Sequence, residues 1–98
     1  MGKAAEMSAP KMTYARLGRT GMSVSRVGLG AGGPSRLGTK HGASQADVER
    51  LIGTAVDLGV TLIDTARGYG TEAAIGAALQ SLAIRDIVVA TKTVVSPA

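Results

Sequence analysis

The 98-residue sequence has no cysteine, phenylalanine or tryptophan, and its one histidine is His41. Without cysteine, the chain has no disulfide framework, no thiolate metal site and no cysteine nucleophile. A single histidine also excludes a multi-histidine metal centre, so we expect no metal. Two tyrosines are the only aromatic residues, which leaves no platform on which nucleic-acid bases could stack. We therefore expect no nucleic-acid partner, although Lys and Arg outnumber Asp and Glu by 11 to 7.

Long apolar runs are also missing, since none approaches the roughly 20 residues that cross a bilayer. Residues 1–6 lack the apolar region of a signal peptide, and Glu6 stands where a myristoylation signal needs Ser or Thr. Hydrophobic residues make up 45% of the chain and charged ones 18%, which is too apolar for a disordered protein. We expect one soluble, cytoplasmic domain with no membrane partner.

Periodicity and turn residues predict a hairpin followed by three strands and two helices. We interpret residues 1–11 as a flexible leader and residues 12–98 as one structural unit. Within that unit, we predict a hairpin over 13–25, strands over 26–30, 60–64 and 87–91, a long loop over 31–43, and helices over 45–58 and 72–82.

Both predicted helices carry apolar residues at helical spacing along one side. In the first helix these are Val48, Leu51, Ile52, Ala55 and Val56, and in the second Ala74, Ile75, Ala78 and Leu82. Ser44 is a good N-cap for the first helix, Asp47 suits its positive end, and Gly59 marks its stop. Thr71 is the expected cap of the second helix.

Alternation of strands and helices at this spacing predicts successive βαβ units with parallel strands. In the second and third strands, the residues that share a face with Asp64 and Lys92 are apolar. Nothing else in the sequence is long enough to cover that face, whereas a closed barrel of eight such units, about 250 residues, would bury it. We therefore expect the amino-terminal part of an α/β TIM barrel that does not fold stably alone.

Gly28, Gly30 and Gly33 match the spacing of a dinucleotide-binding G-x-G-x-x-G motif. That motif works when a helix begins directly after the glycines, because the helix N-terminus meets the pyrophosphate. Here Pro34 intervenes and helical periodicity begins only near Gln45. We interpret the segment as a strand that leads into a flexible loop. A short-chain dehydrogenase is also disfavoured, because neither tyrosine has a lysine four residues later.

Asp64, Tyr69 and Lys92 are the candidate catalytic residues. Asp64 and Lys92 each end a parallel strand, and neighbouring strands lie about 4.8 Å apart, so an ion pair between them is expected. A cation near the Tyr69 phenol would stabilise phenolate and make a general acid suited to protonating a carbonyl oxygen. The hydride for that reaction implies a nicotinamide cofactor. Taken singly, an Asp or Lys after a strand and a Tyr between glycines are more often structural.

Four stretches of the sequence resemble the aldo-keto reductases. Residues 17–30 (LGRTGMSVSRVGLG) are similar to the opening hairpin and first strand of that family. The signature around its catalytic Asp and Tyr is resembled by two stretches. These are residues 59–66 (GVTLIDTA) and residues 69–76, which contain YGTE followed by IG. Residues 88–92 (VVATK) resemble the strand that carries its catalytic Lys.

The resemblance implies an eight-stranded barrel that uses NADPH, less often NADH, to reduce small aldehydes or ketones to alcohols. Tyr69 would be the proton donor, Lys92 the cation that favours its ionisation, and Asp64 the partner of Lys92. Gly30 and Ala31, together with Asp64, would lie near the nicotinamide.

The sequence also departs from that family. The fourth catalytic residue of the family, a histidine after the fourth strand, would lie beyond Lys92, and His41 is no substitute for it. We therefore expect the activity to belong to a longer polypeptide and the 98-residue chain alone to be inactive or nearly so. The alternative is a non-catalytic, truncated or regulatory fragment with the same beginning of the fold.

Overall fold

The computed structural model describes residues 11–96 of the chain, so all but Lys11 of the predicted leader lies outside the described residues. Seven elements follow one another: β1 Tyr14–Arg16, β2 Ser23–Ser25, β3 Leu29–Gly30, α1 Gln45–Asp57, β4 Leu62–Asp64, α2 Glu72–Ser81 and β5 Val88–Ala90. Single turns of 3₁₀ helix lie at Thr39–His41 and Arg67–Tyr69. The order of strands and helices agrees with the prediction, and the strands are shorter than predicted.

Strands β3, β4 and β5 form a parallel sheet in sequence order. Gly30 pairs with Asp64, and Asp64 pairs with Ala90. The predicted α/β arrangement of parallel strands is therefore confirmed. The pairing also brings the carboxyl ends of all three strands to one edge of the sheet, which is the edge where such folds place their sites.

Helices α1 and α2 pack against each other and cover one face of the sheet. The buried core consists of Ala31, Leu37, Val48, Ile52, Ile63, Ile75 and Ala78. Leu51 and Leu82, predicted on the apolar sides of the helices, are instead exposed. Leu82 follows the last residue of α2, and each of the two side chains keeps about 40% of its surface accessible.

The amino-terminal ends of the two helices differ in whether a side chain accepts hydrogen bonds from their backbone N–H groups. At α1, the Ser44 hydroxyl accepts a hydrogen bond from the Asp47 backbone N–H, and the Asp47 carboxylate accepts one from the Ser44 N–H. This capping box, with Gly59 at φ +96° after the helix, confirms the predicted bounds of α1. Thr71 does occupy the N-cap position of α2, but the predicted side-chain cap is wrong. Its hydroxyl donates to the Ala31 carbonyl instead, at 3.3 Å.

Strands β1 and β2 pair antiparallel and contact the amino-terminal end of the parallel sheet. The Ser25 N–H donates to the Thr61 hydroxyl at 2.8 Å, and the Thr61 N–H donates to the Ser25 hydroxyl at 2.9 Å. The Tyr14 hydroxyl donates to the Gly59 carbonyl at 2.9 Å. These bonds fix the β1–β2 pair where α1 ends and β4 begins, opposite the edge that carries Asp64.

The face of the sheet away from the helices is uncovered within the described residues. This face carries the side chains of Leu62 on β4 and of Val88 and Ala90 on β5. All three are only partly buried. Neither helix in the described part of the chain is long and apolar enough to cross a membrane.

Candidate active site

Asp64 and Lys92 form an ion pair at the carboxyl edge of the sheet. Asp64 is the last residue of β4, and Lys92 lies two residues beyond its partner Ala90, so both side chains point to the same face. The Lys92 Nζ lies 3.2 Å from Asp64 Oδ1 and 3.3 Å from Oδ2. It also donates to the Thr65 carbonyl at 2.9 Å. The ammonium is therefore held from several sides.

The pair acts on the charge state of Lys92. The Asp64 carboxylate that accepts its hydrogen bonds raises the pKa of the Lys92 ammonium, and the charge of Asp64 and the nearby Tyr69 phenol act in the same direction. Both side chains of the pair remain more than half exposed. Because water screens an exposed ion pair, it contributes little to the stability of the fold. Its main effect is to keep a protonated Lys92 in one position.

Tyr69 lies next to this ammonium, at the end of the 3₁₀ turn Arg67–Tyr69. The centroid of its ring lies 5.2 Å from Lys92 Nζ and 5.0 Å from the Arg36 guanidinium carbon. Both distances fall within the range of cation–π contacts. The phenol is thus flanked by two cations.

The close approach of Tyr69 depends on glycine at position 32. A Cβ atom at Gly32 would lie 2.7 Å from the Tyr69 Cζ atom, a distance that real Cβ contacts do not reach. Gly70, at φ +71°, ends the 3₁₀ turn and donates its N–H to the Arg67 carbonyl. The ring is therefore positioned by backbone on two loops.

A buried chain of hydrogen bonds joins the loops at this edge of the sheet. The Thr65 and Thr71 hydroxyls lie 3.0 Å apart, and the Thr71 hydroxyl donates to the Ala31 carbonyl. All three residues are buried, so breaking the chain would leave polar groups without partners. It holds the segment between Asp64 and Tyr69 against the end of β3.

Gly30 and Ala31, the residues expected near a cofactor, differ in accessibility. Gly30 is exposed beside Asp64, and a Cβ atom built on it would have no neighbour within 4 Å. Ala31 is fully buried, and its N–H donates to the Asp64 carbonyl at 2.8 Å. A ligand on the open face would therefore contact Gly30, while Ala31 holds that backbone in place.

A cavity of about 380 Å³ opens at this edge. It is lined by Arg36, Ala66, Gly68, Tyr69, Lys92, Thr93 and Val94. His41 lies in the exposed turn Thr39–His41 and does not line the cavity. Within residues 11–96, no three acidic or histidine side chains cluster closely enough to hold a metal ion. The arrangement places a phenol beside an ammonium that a carboxylate holds in position, and a phenol in such a setting can exchange a proton with a ligand.

Sequence reasoning brought Asp64, Tyr69 and Lys92 forward and missed Arg36 and Gly32. Both lie in the segment that we interpreted as a flexible loop. One signal was available there: Leu37 is the only large apolar residue of that segment, and it is buried in the core. A loop that buries a leucine holds its neighbours in defined positions.

The comparisons with known proteins agree on one family. A model of the aldo/keto reductase family matches residues 26–98. The aldo-keto reductase YhdN of Bacillus subtilis is 40% identical over 89 residues, covering 84% of this chain and 26% of that protein. An aldo-keto reductase of a Mycobacterium species (strain MCS) is 38% identical over 78 residues, covering 78% of this chain and 24% of its own length.

The fold is similar to that of solved structures as well. The holo form of the aldo-keto reductase AKR11C1 from Bacillus halodurans superimposes with a TM-score of 0.64 at 28% identity, over 82% of this chain and 25% of that one. The chain spans about a quarter of the length of these relatives. Since the family model matches most of the sequence, and since sequence relatives and a structural neighbour agree with it, the chain belongs to the aldo/keto reductase family.

Proposed function

We propose that this chain supplies the proton donor and its supporting ion pair for the NAD(P)H-dependent reduction of aldehydes or ketones to alcohols. The observation that carries the proposal is the position of the Lys92 ammonium, which is hydrogen-bonded to Asp64 and lies 5.2 Å from the centre of the Tyr69 ring. An ion pair alone would be a common structural feature. An ion pair beside a phenol at the mouth of a cavity is typical of a general acid site.

The residues on the open face fit the nicotinamide end of a cofactor. Gly30 presents no side chain there, and the space next to it is free of atoms to 4 Å. A flat ring could therefore approach the backbone of Gly30 next to Asp64, while the hydrogen bonds of Ala31 keep that backbone in position. A bound nicotinamide would supply the hydride that carbonyl reduction consumes.

In the proposed mechanism, Tyr69 transfers a proton to the carbonyl oxygen. The oxygen gains negative charge as the carbonyl carbon is reduced, and the phenolic O–H bond breaks as the alcohol O–H bond forms. The phenolate that remains on Tyr69 is stabilised by the adjacent Lys92 ammonium. Asp64 keeps that ammonium in place, so that it need not reorient during the step.

We further propose that residues 12–98 form the first three strands of an eight-stranded barrel. Two features support this: the sheet leaves an apolar face uncovered, and the chain matches about a quarter of the AKR11C1 structure. In that barrel, the remaining strands would cover the face that carries Leu62 and Val88. They would also supply the histidine that the family resemblance implies.

The test is the substitution Tyr69→Phe in the longest natural polypeptide that contains this sequence. Removing the hydroxyl should lower kcat for carbonyl reduction by roughly a hundredfold to ten-thousandfold, because general acid catalysis contributes that much. Binding of NADP⁺, measured by isothermal titration calorimetry, should be unchanged. The rate is measured from the loss of NADPH absorbance with an aldehyde substrate.

The matched control is Tyr14→Phe, which removes the hydroxyl of the other tyrosine. Tyr14 bonds to Gly59 at the far end of the sheet, so this variant should keep its kcat. Equal rates in the wild type and the Tyr69→Phe variant would contradict the proposal. A wild-type polypeptide that binds NADP⁺ but reduces no carbonyl compound would favour the non-catalytic alternative.

A further inference from the structure

The cavity beside Tyr69 is positively charged. Two of its lining side chains, those of Arg36 and Lys92, are cations, and none is a carboxylate. The charge of Lys92 is partly balanced by Asp64, which lies outside the lining. Within residues 11–96, Arg36 forms no ion pair. Its positive charge is therefore available to whatever enters the cavity.

Arg36 is held in place by backbone groups from two loops. Its Nε–H donates to the Gly33 carbonyl at 2.9 Å, and its Nη1–H donates to the Gly68 carbonyl at 3.1 Å. The guanidinium also lies over the Tyr69 ring. A guanidinium has more N–H donors than these two bonds use, so donors remain for a ligand. Because the guanidinium is already oriented, little side-chain conformational entropy would be lost when a ligand binds to it.

The backbone of the loop is strained at this point. Arg36 and the following Leu37 adopt left-handed conformations, with φ of 52° and 60°, which non-glycine residues rarely adopt. Burial of Leu37 in the core and a hydrogen bond from the Thr39 N–H to the Arg36 carbonyl hold this geometry. Strain that is maintained beside a cavity is a feature of functional sites. Here its effect is to direct the Arg36 side chain across Tyr69.

We propose that Arg36 is a specificity-determining residue that selects carbonyl substrates carrying a carboxylate or a similar anionic group. This inference rests on the proposed function and adds the substrate class. The planar fork of the guanidinium matches the two oxygens of a carboxylate. The Lys92 ammonium lies across the same cavity, so the field that attracts an anion points to the space next to the phenol.

The experiment compares two probes that differ by one charge: para-carboxybenzaldehyde and its methyl ester. Binding to the longest natural polypeptide that contains this sequence is measured by calorimetry without reductant. We expect the acid to bind more tightly than the ester by roughly tenfold to a hundredfold, the effect of a charge-assisted hydrogen bond. Arg36→Gln should abolish this preference. Arg36→Lys, which keeps the charge but not the fork, should retain part of it.

Arg85→Gln is the matched control, since it removes the same charge away from the cavity, and it should leave the preference unchanged. Circular dichroism checks that the variants keep the helical content of the wild type. A chain that binds neither probe, binds both equally, or keeps its preference in Arg36→Gln would overturn the inference. Because turnover is not measured here, an Arg36-dependent preference in a chain without reductase activity would refute the proposed function alone.

A phosphate of the cofactor is the other anion that Arg36 could meet. NADP⁺ is therefore titrated into the same variants. If Arg36→Gln weakens NADP⁺ binding and leaves the preference between the two probes intact, Arg36 serves the cofactor, and the proposed substrate class is wrong. If the preference is lost while NADP⁺ binding is unchanged, the assignment to the substrate is supported.

Discussion

Lys92 follows strand β5, forms an ion pair with Asp64 and lies over the Tyr69 ring. Its ionisation therefore depends on both neighbours. Its pKa is raised by the hydrogen bonds that the ammonium donates to the Asp64 carboxylate and, to a lesser extent, by the charge of Asp64 and the Tyr69 phenol, while partial burial acts in the opposite direction. A raised pKa of a cation in the folded state means that the folded chain holds this proton more tightly than the unfolded chain does. As long as Asp64 is ionised, the small contribution of the pair to folded-state stability is therefore complete below the ordinary pKa of lysine. The stabilisation is lost as pH rises through the raised value.

We predict that Asp64→Asn lowers the pKa of Lys92 towards its ordinary value, because the amide cannot provide the negative charge. The measurement is an NMR titration of the labelled Lys92 side chain over the alkaline range. Glu72→Gln is the control: its carboxylate is at the same edge but accepts from the Thr91 hydroxyl, at 2.5 Å, and no bond joins it to Lys92. An unchanged Lys92 titration in Asp64→Asn would show that the contact does not persist in solution.

The three proposed catalytic residues were predictable to different degrees. Asp64 and Lys92 could be brought together from the sequence, because alternate residues of parallel strands share a face. Tyr69 could be placed at the correct edge of the sheet, but its contact with Lys92 depends on a 3₁₀ turn and on the space at Gly32. Leu37 could have indicated an ordered loop, but the position of Arg36 over Tyr69 could not be predicted, since no local pattern predicts a left-handed arginine.

Helix α1 shows how a local sequence signal becomes a stabilising contact. The Asp47 carboxylate accepts a hydrogen bond from the Ser44 backbone and interacts with the Ser44 side chain, and these contacts lower the pKa of Asp47. A lowered pKa of an acid means that the unfolded chain binds its proton more readily. The contribution of the ionised Asp47 carboxylate is therefore complete above the ordinary pKa of aspartate and is lost as pH falls through the lowered value.

We predict that Ser44→Ala destabilises the chain by about 1 kcal/mol at neutral pH, the usual effect of losing an N-cap. Urea unfolding of the longest natural polypeptide that contains this sequence, followed by circular dichroism, gives this value. Asp47→Asn should in addition flatten the decline in stability below about pH 4, the ordinary range of aspartate. Asp57→Asn, at the other end of the same helix, is the control and should leave the acid decline unchanged. If Ser44→Ala unfolds at the same urea concentration as the wild type, the capping box is not stabilising.

The elements themselves were largely predictable, and their limits less so. The bounds of both helices agree with the prediction to within about one residue, because helical periodicity and caps are local signals. The strand predicted over 26–30 pairs only at Leu29–Gly30, and that over 60–64 pairs at Leu62–Asp64. Pairing needs a partner in register, and the register is decided by residues far away in the sequence.

The molecule as a whole presents a parallel sheet whose outer strands are unpaired on one side. β5 pairs only with β4 in the described part of the chain. Val89 shares a face with the buried Ile63, yet it remains 41% exposed. Parallel sheets are normally covered on both faces, and an open apolar edge is a template for pairing with another chain.

We predict that the purified 98-residue chain self-associates between micromolar and millimolar concentration, where exposed strand edges promote aggregation. Val89→Lys should suppress this association, because a charged side chain on an edge strand opposes pairing. Sedimentation velocity over that concentration range is the measurement. Leu58→Lys replaces a more exposed apolar residue at the end of α1 and should leave the association unchanged. A wild-type chain that stays monomeric throughout would refute the prediction.

The sequence by itself determined what depends on near neighbours along the chain. This includes the two helices with their apolar sides, the cap at Ser44, the parallel order of the strands and the shared face of Asp64 and Lys92. The tertiary structure alone decided what depends on contacts between distant segments: the Thr71 hydroxyl turned towards Ala31, the Tyr69 ring against Gly32, and Arg36 over that ring. The physical reason is the range of the interactions. Periodicity and capping act within a few residues, whereas these side-chain positions follow from packing between loops that meet only when the sheet forms.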